Sequence, residues 1–114
     1  MTFRTEFHKY YALEVIKEKA GEFLPRIIKE NKQYLKKFEE QGAPFWSYLP
    51  DELRQYLLDE ASPYCETILA LDPDETTDVI MEALAENRLK STFKKEWIKL
   101  NLMAFREELQ SILS

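Results

Sequence analysis

Few side chains in this sequence could carry out nucleophilic or acid–base chemistry. It contains one cysteine, Cys65, and one histidine, His8. A nucleophilic cysteine needs a base and a group that orients the base, and His8 is the one candidate for the base. His8 stands beside Lys9 in a polar stretch, which is typical of a surface histidine, and a lone cysteine such as Cys65 is usually a small buried apolar residue. The sequence therefore predicts no catalysis by these two residues.

The motifs that bind phosphates or metals are missing from the sequence. Its two glycines, Gly21 and Gly42, allow neither GxxxxGK[ST] nor GxGxxG, the loops whose backbone amides hold phosphate. One histidine excludes HExxH and the Glu-x-x-His pairs of di-iron bundles, and one cysteine with one histidine is too few ligands for a zinc site. We expect no cofactor and no metal.

The segment DPDETTDVIMEAL places oxygen-bearing side chains at alternate positions, as a calcium-binding loop does. These residues are Asp72, Asp74, Thr76 and Asp78. A calcium loop needs glycine at its sixth position and a bidentate glutamate at its twelfth, and here these positions are Thr77 and Ala83. The segment fits a helix start better, with Asp72 as the N-cap, Pro73 in the first turn and Glu75 completing a capping-box-like pair.

Three pairs of adjacent carboxylates could in principle do acid–base work. They are Glu39 and Glu40, Asp59 and Glu60, and Glu107 and Glu108. Adjacent residues on a helix do not face each other, and nothing in the sequence indicates that these groups are desolvated. We interpret them as solvated helix faces, and we expect a protein that is not an enzyme.

Length and composition indicate one soluble domain, residues 1–114. Hydrophobic residues make up 45% of the 114 positions and charged residues 32%, which argues against disorder. One cysteine cannot form an intrachain disulfide, and MTFRTEFHKYY lacks the apolar run of a signal peptide. No apolar run exceeds four residues, whereas a membrane span needs about twenty. We expect a cytoplasmic protein without a membrane partner.

The net charge of -5 is unevenly distributed along the chain. Residues 1–37 contain nine basic and five acidic side chains, residues 38–87 contain one and thirteen, and residues 88–114 contain six and three. The ends are therefore basic and the middle is acidic. Either the ends and the middle neutralise one another, within the fold or between two chains, or the middle forms an acidic face for a basic partner.

Apolar residues in the first third recur every three or four positions, as on one face of an amphipathic helix. They are Leu13, Ile16, Ala20, Phe23, Leu24, Ile27, Ile28, Leu35 and Phe38, and Phe3 and Phe7 extend the pattern towards the N-terminus. The pattern keeps its phase across Pro25, which favours one long helix kinked at Pro25. The alternative is a helix that ends at Gly21 and a second that begins at Pro25. Gly42 is the predicted end of this region.

Four further helices are predicted, which gives an all-α, compact bundle of about five. The predicted helices begin at Pro50, run from Pro63 to Leu71, run from Pro73 to about Asn87, and span residues 91–113. The last helix is apolar around nearly its whole circumference, so we expect it to be central to the bundle or part of an oligomer interface. The first region and the last helix are expected to form a long antiparallel core.

The connection between Gly42 and Pro50 contains three large aromatic residues: Phe45, Trp46 and Tyr48. We call residues 43–49 the aromatic corner. A surface connection with three exposed aromatics would leave a costly apolar patch, so at least one is expected to fold inward, Trp46 or Phe45, with the Tyr48 hydroxyl in water. The corner is either structural or a binding surface.

The absence of chemical motifs, the segregated charge and the aromatic corner predict a non-enzymatic adaptor, regulator or small subunit that binds another protein or forms a homodimer. The predicted contacts are Phe45, Trp46 and Tyr48, with an acidic rim of Asp51, Glu52, Asp59 and Glu60. On this hypothesis, Trp46→Ala folds normally but loses its partner.

Two alternatives involve nucleic acid. The basic terminal helices could belong to a subunit of a nucleic-acid complex, in which charge reversal at Lys94, Lys95 and Lys99 abolishes binding. The acidic middle could instead imitate a phosphate backbone and occupy a nucleic-acid-binding protein. Interleaved glutamates and the negative total charge disfavour direct nucleic-acid binding.

Overall fold

A computed structural model describes the backbone of residues 2–89 and 93–113 and the side chains of residues 9–89 and 93–112. Within these residues the chain forms five α-helices, two short 3-10 turns and no strand. The helices are α1 (Thr2–Gln41), α2 (Asp51–Ala61), α3 (Cys65–Ala70), α4 (Pro73–Glu86) and α5 (Lys95–Leu113). The all-α bundle of about five helices is confirmed. The side chains of Phe3, Phe7 and His8, and all of Lys90, lie outside the described residues.

Helix α1 is interrupted, but not where its proline predicts. Pro25 lies inside the helix, as Gly21 does, and the backbone angles leave the helical region at Asn31 (φ -127°, ψ 19°). The Asn31 side-chain amide donates to the carbonyl oxygen of Ile27 at 2.9 Å. Asn101 makes the same bond to the carbonyl of Trp97 inside α5, so this bond accompanies the break at Asn31 but does not by itself explain it. The predicted kink at Pro25 is therefore corrected to Asn31, and no helix ends at Gly21.

Helix α1 ends where its glycine predicts. Gly42 has φ 67°, a left-handed conformation that glycine adopts without steric cost. The amide of Gly42 donates to the carbonyl of Glu39, and the amide of Ala43 donates to that of Phe38, both at 3.0 Å. This is a Schellman motif, which satisfies carbonyls at the end of the helix.

Helix α4 begins as predicted. Asp72 is its N-cap, and the Asp72 carboxylate accepts from the amide of Asp74 at 3.3 Å. The Glu75 carboxylate binds Lys9 on α1 at 2.8 Å. Asp72 therefore acts as a cap, as expected, whereas Glu75 contributes to an ion pair between helices.

Helix α4 lies beside both long helices. It pairs with α1 in parallel, because Lys9 contacts Glu75 and Lys17 contacts Glu86. It pairs with α5 in antiparallel orientation through the ion pairs Lys95–Asp78 and Lys99–Asp74.

The expected antiparallel core of α1 and α5 needs correction, because the backbone of α1 packs most extensively against α4. The two helices meet where α1 ends and α5 begins. There the Glu39 carboxylate accepts from the amide of Lys94 at 2.7 Å, and the Lys36 ammonium lies 5.0 Å from the centre of the Phe93 ring.

Helices α3 and α5 are shorter than predicted. Ser62–Tyr64 is a 3-10 turn, so α3 begins at Cys65 rather than Pro63, and α5 begins at Lys95 rather than 91; residues 91 and 92 lie outside the described part. The Arg106 guanidinium donates to the carbonyls of Leu69 and Leu71 at 2.8 and 3.0 Å. A cation therefore stabilises the C-terminal end of α3.

Helix α5 is central to the bundle on one side and partly exposed on the other. Trp97, Ile98, Leu102 and Leu109 are buried, whereas Leu100 and Met103 keep more than a third of their surface exposed. Among the helices described, none is both long enough and apolar enough to cross a membrane.

Candidate functional site

The aromatic corner is mainly structural. Phe45 and Trp46 are 8% and 7% exposed, so both fold inward, whereas Tyr48 is 65% exposed. Tyr48 packs on Phe38, with ring centres 4.4 Å apart, and Phe38 also contacts Phe45. Of the three aromatic residues predicted to contact a partner, Tyr48 alone offers a large surface in this conformation.

Side chains of α5 hold the corner in place. The Asn101 side-chain oxygen accepts from the amides of Phe45 and Trp46 at 2.6 and 2.9 Å. The Trp97 indole donates to the carbonyl of Ala43 at 2.7 Å. These side chains supply hydrogen-bond partners for backbone groups of the corner. An irregular segment can therefore pack against the core without leaving these backbone groups unpaired.

Side chains of α5 also hold Trp46 in the core. Its indole donates to the Glu108 carboxylate at 2.7 Å, and its ring meets Phe105 edge to face at 5.0 Å. Glu108 also accepts from Arg54 at 3.0 Å, and Arg54 pairs with Asp51. The expectation that Trp46→Ala folds normally therefore needs correction, because truncation would remove a buried ring and leave the Glu108 carboxylate without this donor.

The four acidic residues predicted to form a rim do not form one cluster. Asp51, Glu52 and Asp59 are exposed on α2. Asp51 and Asp59 lie eight residues apart, which is about 12 Å along a helix. Glu60 points elsewhere and pairs with Lys19 of α1 at 3.2 Å.

The basic ends and the acidic middle neutralise one another within one chain. Lys17, Lys95 and Lys99, all from the basic ends of the chain, form ion pairs with α4. A hydrogen bond from Lys99 lowers the pKa of Asp74, and a hydrogen bond to Asp78 raises the pKa of Lys95. Much of the segregated charge is therefore used in packing helices together.

Cys65 is a buried apolar residue, as expected. Its thiol lies 3.5 Å from the carbonyl oxygen of Leu109, and burial raises its pKa, so the thiol is held in its unreactive form. Among the described residues no group of three or more acidic, histidine or cysteine side chains is placed to hold a metal ion.

One feature that the sequence did not predict is an apolar cavity of about 250 Å³. We call it the core cavity. Residues of α1 between Val15 and Leu35 line one side of the core cavity. Phe93, which precedes α5, and residues of α5 as far as Phe105 line another side. The aromatic corner, α2, α3 and α4 complete the wall, which is almost entirely carbon.

Polar groups in the interior wall are already bonded to the protein. The Thr76 hydroxyl donates to the carbonyl of Asp72 at 3.0 Å. The Asn101 amide donates to the carbonyl of Trp97 at 2.9 Å, while its oxygen holds the aromatic corner. The Thr76 hydroxyl proton and one amide proton of Asn101 are therefore already used within the protein.

The wall of the core cavity reaches the surface between α1 and α2, where the side chains of Lys19 and Glu60 are 41% and 39% exposed. The backbones of these helices are not closely packed, and three pairs of side chains bridge α1 to α2 and to the 3-10 turn after α2. These pairs are Tyr11 with Tyr64, Lys19 with Glu60, and Phe23 with Tyr56. The three members on α1 lie at multiples of four positions, so they follow one edge of that helix, as Tyr56 and Glu60 do on α2. We call this row of pairs the α1–α2 seam.

Sequence periodicity could not reveal the core cavity. The same apolar stripe on α1 would serve a closely packed core, and the apolar circumference of α5 predicted burial without saying against what. The sequence matches no protein-family model, and it matches neither a curated protein nor a solved structure.

Proposed function

We propose that this protein is a non-enzymatic binding protein that holds a hydrophobic ligand in its core cavity. The observation that carries the proposal is the cavity itself, about 250 Å³ with an almost wholly apolar wall. Protein interiors contain few voids larger than a water molecule. An apolar cavity of about 150 Å³ already admits benzene.

The energetics favour an occupant. Apolar surface that is removed from water contributes roughly 25 cal/mol per Å². The apolar wall of the core cavity supplies this contribution when a hydrophobic ligand covers it. The ligand adds dispersion contacts with the same wall.

The chemistry of the wall supports binding rather than catalysis. The interior polar groups, Thr76 and Asn101, are bonded to the protein, and Cys65 is not among the wall residues. Catalysis needs a group free to exchange protons or attack a substrate.

The proposal is tested by titrating the full chain with N-phenyl-1-naphthylamine, an uncharged probe that fluoresces in apolar surroundings. We expect saturable binding of one probe per chain. The emission of Trp46 and Trp97 should change as well, because both indoles line the core cavity. A folded protein that shows no saturable binding would overturn the proposal.

A pair of variants makes the test specific. Ala20 lines the core cavity, so Ala20→Phe places a ring inside it and should weaken probe binding at least tenfold. Ala70→Phe adds the same ring at an exposed position on α3 and should leave binding unchanged. Circular dichroism and cooperative unfolding verify that both variants are folded. Equal binding by the two variants would place the probe elsewhere.

A second candidate function is that of an adaptor, regulator or small subunit that binds a basic protein surface. The observation that favours it is Tyr48, exposed yet fixed against Phe38, close in sequence to the exposed carboxylates of Asp51 and Glu52. A rigid aromatic side chain costs little entropy on binding. Of the three aromatic contacts predicted from the sequence, this function keeps Tyr48 and omits the buried Phe45 and Trp46.

Affinity purification of the wild type beside Tyr48→Ala tests this second function. A partner recovered with the wild type and lost with Tyr48→Ala supports it, and the same recovery with both would contradict it. Analytical ultracentrifugation of the purified chain distinguishes a different partner from self-association.

A further inference from the structure

We infer that the ligand of the core cavity is a single-chain amphiphile with an uncharged hydroxyl head group, its chain inside and its head between Lys19 and Glu60. This inference rests on the proposed function and adds the chemical class and the orientation of the ligand.

The shape of the core cavity favours a chain over a compact ring system. The volume of about 250 Å³ exceeds the about 150 Å³ that already admits benzene. Its wall comes from α1 on both sides of the break at Asn31 and from residues between Phe93 and Phe105. A hydrocarbon chain with rotatable bonds can follow such an uneven apolar wall, which a rigid ring system cannot.

The distribution of polar groups gives the orientation. At the far end the wall is made of Leu35, Phe45 and Phe93, all buried and apolar. The charged groups of the wall, Lys19 and Glu60, lie in the α1–α2 seam. A buried polar group without a hydrogen-bond partner costs free energy, so the polar head belongs at the seam.

The charges at the seam select the head group. The Lys19 ammonium lies 3.2 Å from the Glu60 carboxylate and 3.9 Å from that of Glu22. One cation thus stands between two anions, and a third carboxylate would be repelled. A hydroxyl group can accept from Lys19 and donate to Glu60 without adding charge.

The seam also provides the route of entry. It is closed by side-chain pairs between helices whose backbones are not closely packed. Glu60 keeps 39% of its side chain exposed, so it can turn into water while a chain passes. Entry therefore requires rotation of side chains and leaves the packing of α1 against α4 in place.

The experiment compares 1-decanol with decanoate, which share a chain and differ in head-group charge. Each displaces N-phenyl-1-naphthylamine from the full chain at about pH 7.5, where a carboxylic acid is ionised. We expect 1-decanol to bind about tenfold more tightly than decanoate. Glu60→Gln removes one anion, so decanoate should bind this variant about tenfold more tightly than the wild type.

Glu52→Gln is the matched control. Glu52 lies on the same helix, is exposed and is not part of the cavity wall, so its variant should keep the wild-type ratio. Decanoate binding as tightly as 1-decanol, or a ratio unchanged in Glu60→Gln, would overturn the head-group inference while probe binding still supports the proposed function. If neither amphiphile nor the uncharged probe binds, both proposals fail.

Discussion

At the scale of residues, an asparagine and two tryptophans of the chain decide the form of the aromatic corner. Asn101 accepts from two consecutive backbone amides, and Trp97 donates to a backbone carbonyl of the same corner. Trp46 is fixed by Glu108 and Phe105. The sequence correctly indicated that an aromatic residue folds inward, because exposing all three would be costly. The sequence did not indicate which residues form hydrogen bonds with the corner, because Asn101 and Glu108 lie more than fifty residues away along the chain.

Trp46→Ala should lower the free energy of unfolding by about 3–5 kcal/mol, because it leaves a cavity and removes the donor to Glu108. Tyr48→Ala at the exposed neighbour should cost about 1 kcal/mol or less. Urea unfolding of both variants measures the difference. Equal losses would contradict the burial of Trp46 in this conformation.

At the scale of elements, two helices end in the same motif with different residues. Arg88 has φ 62° after α4, as Gly42 has φ 67° after α1. The amide of Leu89 donates to the carbonyl of Leu84 at 2.7 Å, which completes a Schellman motif. The sequence predicted the end at Gly42, since glycine is the usual residue there, and gave no such signal at Arg88.

Substitutions at these two positions should act in opposite directions. Gly42→Ala places a methyl group at positive φ and should lower the free energy of unfolding by about 1 kcal/mol, although the added carbon meets nothing within 4 Å. Arg88→Gly relieves the same strain and should raise it by about 0.5–1 kcal/mol after the entropy of glycine is subtracted. Thermal and urea unfolding measure both changes. Destabilisation by Arg88→Gly would show that the Arg88 side chain contributes more than its backbone costs.

The contact between α4 and α5 should depend on pH. A hydrogen bond from Lys99 lowers the pKa of Asp74 in the folded state. A carboxyl group with a lowered pKa contributes stability above its unfolded pKa, and this contribution is lost as the pH falls through the folded value. Asp74→Asn should therefore lose less stability than the wild type between about pH 6 and pH 3.

Lys99→Gln removes the same ion pair from its other side, because the Lys99 ammonium lies 2.8 Å from the Asp74 carboxylate. Its stability should also fall less with pH than that of the wild type, measured by urea unfolding at each pH. A wild-type profile in Asp74→Asn would mean that the ion pair with Lys99 does not contribute in solution.

At the scale of the whole molecule, the fold combines internal charge neutralisation with a loosely filled interior. Ion pairs of α4 with α1 and α5 bring the acidic middle against the basic ends. Helix α4 packs beside both long helices. The helices and the aromatic corner nevertheless leave a core cavity of about 250 Å³ between them. Neutralisation of charge within one chain was one of the alternatives that the charge pattern left open. The core cavity was not predicted.

Enlarging an alanine should have a different effect inside the core cavity and away from it. Ala20 lines the cavity, so Ala20→Leu should leave the free energy of unfolding unchanged or raise it by about 1 kcal/mol. Ala83 is 1% exposed, against 9% for Ala20, and lies outside the cavity wall, so Ala83→Leu should cost about 1–3 kcal/mol through overpacking. Chemical denaturation compares the two. Similar losses would indicate that the cavity collapses in solution.

Four features could be predicted from the amino-acid sequence: the helical class, the end of α1 at Gly42, the start of α4 after Asp72 and the inward folding of the aromatic corner. These features depend on local chemistry: apolar spacing, capping residues and the cost of exposed aromatics. Long-range contacts had to be seen to learn that α1 breaks at Asn31, that Trp46 bonds to Glu108, and that α4 rather than α5 packs most extensively on α1. The core cavity could not be predicted either. A cavity depends on how completely helices distant in sequence fill the space between them, and the spacing of apolar residues along one helix carries no information about that.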